Sequence, residues 1–296
     1  IVMIITFRLI TYLILKFVII LSSIIIISGC SGEKGKVPKY AVTCLPLKFI
    51  LMEIIGSEEE ITLLVDAGYS PHTYSPQPSV LKKMEKAELI FFVEKDFDKW
   101  FIRQPFNNLK EVFKLLPESF ILRFDENHVD PHFWTDPLAV KTIIPDLTQI
   151  LIEKEPEKAE IYKENANKFM DKLSQLDQKI SEILEPVKGS EVFLFHPSFK
   201  YMLQRYGLIY AGSIEEFPGK EPSPKYIADF MSKVKISQTK AIFSEPQLSD
   251  KSAESIAESA GLNIYLLDPL GGIDNRNNYF NLMLYNAQIL LRALSN

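Results

Sequence analysis

The sequence predicts an α/β protein built as two halves, each a central sheet flanked by helices, joined by one long helix. Three observations carry this prediction. From Lys39 onward, short apolar segments of strand length alternate with helical periodicity, the pattern of sheets covered by helices. Between Glu157 and Leu184 the apolar residues Ile161, Phe169, Leu173, Leu176, Ile180 and Leu184 recur at helical spacing without a breaker. Finally, 296 residues that are 47% hydrophobic can fill one large core or two domains of roughly 100 to 150 residues each.

The first segment lies outside that fold. Leu9 to Ile27 is almost wholly apolar, follows the basic Arg8, and is interrupted mainly by Lys16 and the Ser22-Ser23 pair. By length alone it could span a membrane. The order of basic residue, apolar run, small Ser28 and Gly29, then Cys30 reads better as export targeting. Ile27-Ser28-Gly29-Cys30 resembles the bacterial lipoprotein processing box, which implies a signal peptide over 1–29, cleavage before Cys30 and lipid on that cysteine. Residues 30–39 combine Gly, Lys, Glu and Pro as a tether suited to flexibility. The remaining 267 residues hold 31 basic against 38 acidic side chains, a formal charge of −7.

In the first half, residues 40–148, Tyr40 to Leu45 and Ile61 to Val65 are predicted strands, with a helix near Lys48 to Ile55 between them. Cys44, flanked by Val42 and Leu45, takes a buried position where a thiol acts as a small hydrophobe. Asp66 to Ser79 is a loop restrained by Pro71, Pro76 and Pro78. A helix is predicted after Ser79, whose hydroxyl can cap it, with Leu81, Met84 and Ala87 on one face. Leu89 to Val93 is the next strand. Asp136 and Pro137 open another helix, as cap and first-turn proline.

A connecting helix occupies residues 149–186, ended by Pro186 and Gly189. The second half, 187–296, starts with the strand Glu191 to Phe195. Ser223 and Pro224 open a helix, Lys240 to Phe243 is a strand, and Asp250 starts a helix that Gly261 stops. Asn263 to Leu267 is the last strand. After the polar stretch Asp274 to Asn278, Tyr279 to Leu294 forms a terminal helix with Phe280, Met283, Leu284, Ala287 and Leu291 on its apolar positions.

Composition narrows the chemistry. Two cysteines cannot supply a four-thiolate cluster or a disulfide framework, so histidine and carboxylate remain as ligands for any metal. The acidic balance argues against broad nucleic-acid binding, and Gly32, Gly35 and Lys36 lack the spacing of a phosphate loop. Only four histidines are present. His72 lies seven residues past a predicted strand, His196 directly follows one, and Asp268 directly follows another, the places where open α/β sheets gather ligands. His132 sits in Asp130-Pro131-His132-Phe133-Trp134. Three neutral imidazoles and one carboxylate would satisfy tetrahedral Zn²⁺. Separations of 60, 64 and 72 residues make no local motif, however, and a solitary histidine is more often a surface or hydrogen-bonding group.

Longer segments around these residues are more specific: SPHTYSPQPS around His72, DPHFWTDP around His132, FLFHPSFKYMLQRYGL around His196 and LDPLGG around Asp268. EPSPK at Glu221 to Lys225, SEPQ at Ser244 to Gln247 and the final YFNLMLYNAQILLRAL add to them. In order and spacing, over nearly all of residues 40–296, these segments resemble the zinc-receptor branch of the cluster A-I solute-binding proteins, the metal receptors of bacterial ABC importers. The resemblance implies two α/β lobes joined by a long, rigid helix, with metal bound in the interlobe cleft by His72, His132, His196 and Asp268. It implies delivery of Zn²⁺ to a membrane permease powered by a separate cytoplasmic ATPase, from a lipid-anchored monomer at the cell membrane, facing the exterior or periplasm. Histidine at 196 points to Zn²⁺ over Mn²⁺, because the manganese branch usually places glutamate there.

The chain departs from the family pattern at Pro197, where aspartate is common, and at Ser75, where glutamate is frequent. It also lacks the histidine-rich acidic loop of many zinc receptors, so no metal-collecting role for such a loop carries over. His128, four residues before His132 but separated from it by Pro131, is assigned to a loop or to the support of a ligand, and Glu245 to a buried hydrogen-bonding role near the cleft. The resemblance implies a receptor without catalytic activity. Three other readings remain open at this stage: a Mn²⁺ or Fe²⁺ receptor of the same family, a zinc hydrolase using Glu245 as base, and a surface adhesin.

Overall fold

Two parallel four-stranded sheets organise the protein, and each places its strands in the same spatial sequence. The computed structural model describes residues 39–102, 106–215, 222–237, 239–248 and 250–295. The predicted signal peptide, Cys30, the predicted tether up to residue 38 and Glu221 of the EPSPK run fall outside the described residues. No described helix is long and apolar enough to cross a membrane.

The first sheet comprises β1 (Tyr40–Val42), β2 (Ile61–Leu63), β3 (Leu89–Phe92) and β4 (Leu109–Glu111), ordered β2-β1-β3-β4. Tyr40 pairs with Ile61 on one side and Leu89 on the other. The chain therefore reverses direction across β1, and the crevice beyond its C-terminal end is the natural ligand position. Helix α1 (Leu45–Ile55) begins earlier than predicted, because Pro46 is pre-set for a first turn, and this shortens β1 to three residues. Pro78 likewise opens α2 (Pro78–Lys86), so Ser79 lies inside the helix and caps nothing. A short helix, α3 (Lys99–Ile102), follows β3.

Asp136 caps α4 (Pro137–Lys154) by accepting a hydrogen bond from the Leu138 amide at 2.8 Å. After one 3₁₀ turn at Pro156–Lys158, α5 (Ala159–Leu184) runs for 26 residues and links the two lobes. It buries Tyr162, Ala166, Phe169, Leu173, Leu176, Ile180 and Leu184 against α1 and α4. Ile161, predicted on the apolar face, is 57% exposed, and Tyr162 takes the inward place.

The second sheet comprises β5 (Glu191–Leu194), β6 (Ile209–Ser213), β7 (Ala241–Ser244) and β8 (Asn263–Leu266), ordered β6-β5-β7-β8. Between its strands run α6 (Lys200–Arg205), α7 (Pro224–Ile236) and α8 (Asp250–Ala260). Ser223 caps α7 and Gly261 stops α8 with a left-handed φ of 66°. Helix α9 (Tyr279–Leu294), capped by Asn278, packs back onto α5 and α1. β4, β6 and α6 escaped the sequence reading. The strands lie at sheet edges where part of each is exposed, which erases the continuous apolar run of a buried strand.

Candidate metal centre

Each histidine is delivered by a short, proline-stiffened segment. His72 sits in a single 3₁₀ turn, Pro71–Thr73, after β2, with Pro71 buried at its start. His132 precedes the 3₁₀ turn Phe133–Thr135, whose Phe133 and Trp134 are fully buried and fix the loop in the core. Trp134 Nε1 donates to the Pro269 carbonyl at 2.8 Å, tying this loop to the one that carries Asp268. His196 emerges beyond β5, where the Phe195 amide donates to the Phe243 carbonyl at 2.7 Å and holds the strand end in the sheet.

The three rings converge. His132 Nε2 lies 3.2 Å from His72 Nε2 and 3.4 Å from His196 Nε2, and the ligand atoms of all three fall within 4.8 Å of one another. Zinc–nitrogen bonds of about 2.0–2.1 Å set tetrahedral edges of about 3.3–3.4 Å, so both short separations match those of nitrogens sharing one ion. Hydrogen bonding among the rings is a poorer account. Asp130 Oδ1 accepts from His132 Nδ1 at 2.8 Å, which places that ring's proton on Nδ1 and leaves Nε2 as a bare lone pair facing the other two rings.

The surroundings favour the neutral form of two of the imidazoles, His72 and His196. Burial first, then the charge that His196, His132 and Lys99 would present, lowers the His72 pKa well below its ordinary value. Burial and His132 do the same to His196. Phe97 closes one wall, edge-on to His72 at 4.5 Å between centroids, and Trp134 packs against His132 at 5.3 Å. Neutral nitrogen donors in an apolar shell suit a borderline-soft divalent ion.

The remaining candidates lie apart from this group. Asp268 is fully buried, but its carboxylate is engaged elsewhere: Oδ1 accepts from Gln247 Nε2 and from the Leu270 and Gly271 amides, and Oδ2 accepts from Arg276 Nε at 2.8 Å. Glu245 is buried and accepts from Ser198 Oγ, and burial raises its pKa to about 8. His128 is exposed and bonded to Asp125 at 2.8 Å. Cys44 is a free, buried thiol whose pKa burial and then Asp98 push well up, as befits core packing.

Sequence reasoning overlooked Asp130, Arg276 and Asn286. Asn286 pins Asp268 on both sides, accepting from its amide at 2.8 Å and donating to its carbonyl at 2.7 Å. The only available signal for Asp130 was a carboxylate two residues before a candidate ligand.

The chain matches the family described as zinc-uptake complex component A, periplasmic (ZnuA), over residues 41–293. It is 27% identical over 288 residues to the zinc-binding protein AdcA of Streptococcus pyogenes serotype M3, an alignment covering 87% of this chain and 56% of the relative. The chain thus spans little more than half the length of that relative. With the high-affinity zinc uptake system protein ZnuA of Brucella abortus it shares 26% identity over 292 residues, covering 82% of this chain and 86% of the relative. A zinc-bound crystal structure of a ZnuA 138–173 deletion mutant superposes with a TM-score of 0.76 at 27% identity, covering 88% of this chain and 98% of that one.

Proposed function

The chain belongs to the ZnuA family of zinc-uptake components, and from that premise we propose that it captures Zn²⁺ outside the cytoplasm and hands it to an ABC permease driven by a separate ATPase. One observation carries this reading: three Nε2 atoms aimed at a common point, with separations of 3.2 and 3.4 Å. The proposed ligands are His72, His132 and His196; Asp268, the fourth candidate, has both carboxylate oxygens engaged by Gln247, Arg276 and the amides of its own turn. An all-imidazole face favours Zn²⁺ over Mn²⁺, which prefers carboxylate and water oxygens.

The rest of the reading follows the sequence. Cleavage before Cys30 and lipid on that residue would hold the lobes, 40–148 and 187–296, at the cell membrane, facing the exterior or periplasm, where a multi-chain anchor is stable. The protein acts by capture and release, without catalysis. A hydrolase reading would use Glu245 as a base, yet that buried carboxylate accepts from Ser198 Oγ and stands outside the three-histidine group.

The test is metal analysis of protein purified without added metal, followed by competition among Zn²⁺, Mn²⁺ and Fe²⁺ for wild type and His196→Glu. Wild type should retain stoichiometric zinc. His196→Glu should weaken it by more than about 100-fold, since even outer partners of a ligand cost about 10–100-fold. Preferential manganese retention by wild type would move the protein to the other branch of metal receptors.

A further inference from the structure

The loop between β4 and His132 belongs to the first lobe but is fastened by the second. Its two arms pair antiparallel at Arg123 and Val129, and the Asp130 amide donates to the Leu122 carbonyl at 2.8 Å. The Tyr201 hydroxyl engages the other two groups of that pair. It accepts from the Leu122 amide at 3.0 Å and donates to the Asp130 carbonyl at 3.2 Å. Lys200 adds a grip nearer the tip of the loop: its Nζ donates to the Arg123 carbonyl at 3.0 Å and lies 4.7 Å from the centroid of the Phe124 ring. Tyr201 is buried, and its ring is part of the core that both lobes share.

Both ends of this contact lead to a candidate ligand. On the first lobe, Asp130 Oδ1 accepts from the amide and from Nδ1 of His132, at 3.0 and 2.8 Å, so a displaced Asp130 carries or turns that ring. On the second lobe, Tyr201 lies five residues after His196, across a stiff segment. Pro197 restrains its backbone, the Ser198 amide donates to the His196 carbonyl at 2.9 Å, and Ser198 Oγ donates to the buried Glu245. Helix α6 also packs against the 3₁₀ turn Phe133–Thr135. One hydroxyl thus stands between the supports of two rings whose Nε2 atoms lie 3.4 Å apart.

We propose that Tyr201 is a positioning residue for the metal centre: its hydroxyl, carried by the lobe that holds His196, fixes the Leu122–Asp130 pair and, through Asp130, the ring of His132. This rests on the reading of His72, His132 and His196 as metal ligands. Removing the hydroxyl takes a donor from the Asp130 carbonyl and an acceptor from the Leu122 amide. The loop then relaxes to satisfy both groups, and His132 leaves its register with His196.

The experiment compares Tyr201→Phe with Tyr206→Phe, the same chemical change at the end of the same helix, where the hydroxyl instead donates to Asp177 Oδ1 on α5 at 3.1 Å. Three quantities are measured: Zn²⁺ affinity by competition with a fluorescent chelator, the metal-free melting temperature, and the visible d–d absorption of the Co²⁺-loaded protein. Both variants should melt a few degrees below wild type. Only Tyr201→Phe should weaken zinc, about tenfold, and only it should alter the Co²⁺ bands, which report the geometry of the ligands. Wild-type zinc affinity and Co²⁺ bands in a folded Tyr201→Phe protein overturn the proposal. Equal loss of zinc affinity in the two variants overturns it as well, because the effect would then be general destabilisation.

If Tyr201→Phe does not fold, the wild type carries the test. Linkage is reciprocal, so a hydroxyl contact that strengthens zinc binding is itself strengthened by zinc. Zinc loading should slow hydrogen exchange of the Leu122 amide about tenfold, followed by NMR at that single amide. Unchanged exchange there would overturn the positioning role. His196→Ala separates the two levels: wild-type zinc affinity in that variant would bring down the three-imidazole reading itself, independently of Tyr201.

Discussion

An imidazole nitrogen is a ligand only if the ring's proton is held elsewhere. Asp130 does this for His132, accepting from Nδ1 at 2.8 Å and from the residue's own amide at 3.0 Å. Asp130→Asn offers an amide where the carboxylate stood and relaxes both tautomer and ring orientation. Zinc affinity should fall about 10–100-fold with little change in fold, measured by chelator competition beside a circular-dichroism melt. Wild-type affinity in that variant would show that the tautomer is fixed by other means. At this scale the sequence offered three histidines that the fold brings together and was mute about the residues around them. His72 and His196 follow strands, whereas His132 does not, and the family-like segments around all three singled them out. Asp130 and Arg276 are ordinary charged residues until the chain folds, and their roles depend on contacts that no local pattern encodes.

Among the elements, the joint between α4 and α5 is the least apparent from the sequence. The periodicity of α5 predicted a helix from Glu157, whereas the chain inserts a 3₁₀ turn at Pro156–Lys158 and turns Tyr162 inward in place of Ile161. The cause is Glu155, which is buried and accepts from Lys39, Tyr40, Tyr162 and Lys158. A hydroxyl on the inner face satisfies that carboxylate and an isoleucine would not, so polar demand overrides apolar periodicity. Burial alone would raise the Glu155 pKa, but the hydrogen bonds from Lys39, Tyr162, Tyr40 and Lys158 outweigh it and bring it down to about 2. The sign follows by linkage: a carboxylate depressed from 4.5 to about 2 on folding stabilises the protein fully above about pH 4.5, and loses that contribution as pH falls toward 2. The shift corresponds to about 3 kcal/mol. Melting temperature should therefore drop steeply across that window in wild type and much less in Glu155→Gln, which begins lower at pH 7. Parallel acid limbs for the two proteins would remove Glu155 from the account.

For the whole molecule, the question is whether two lobes around a metal must swing to bind it. The hydrophobic core answers against a large swing. One continuous cluster includes Tyr40 and Val42 of the first sheet, Leu194 and Phe243 of the second, and Phe169, Leu173 and Ile180 of α5. Cross-lobe hydrogen bonds reinforce it: Tyr279 donates to the Trp134 carbonyl at 2.7 Å, and Tyr201 accepts from the Leu122 amide at 3.0 Å. A hinge would have to open this core and expose packed aromatic surface, at about 25 cal/mol per Å². Capture should then be local, confined to the ligand loops and the Asp268 turn. Small-angle scattering on metal-free and zinc-loaded protein should show radii of gyration within about 1 Å, as for preorganised binding sites. Hydrogen exchange should slow on zinc binding in residues 70–74, 130–135 and 268–276, with α5 unchanged. A contraction of several ångströms, or protection spreading along α5, would mean that the lobes move as separate bodies and that the shared core is looser than its packing implies.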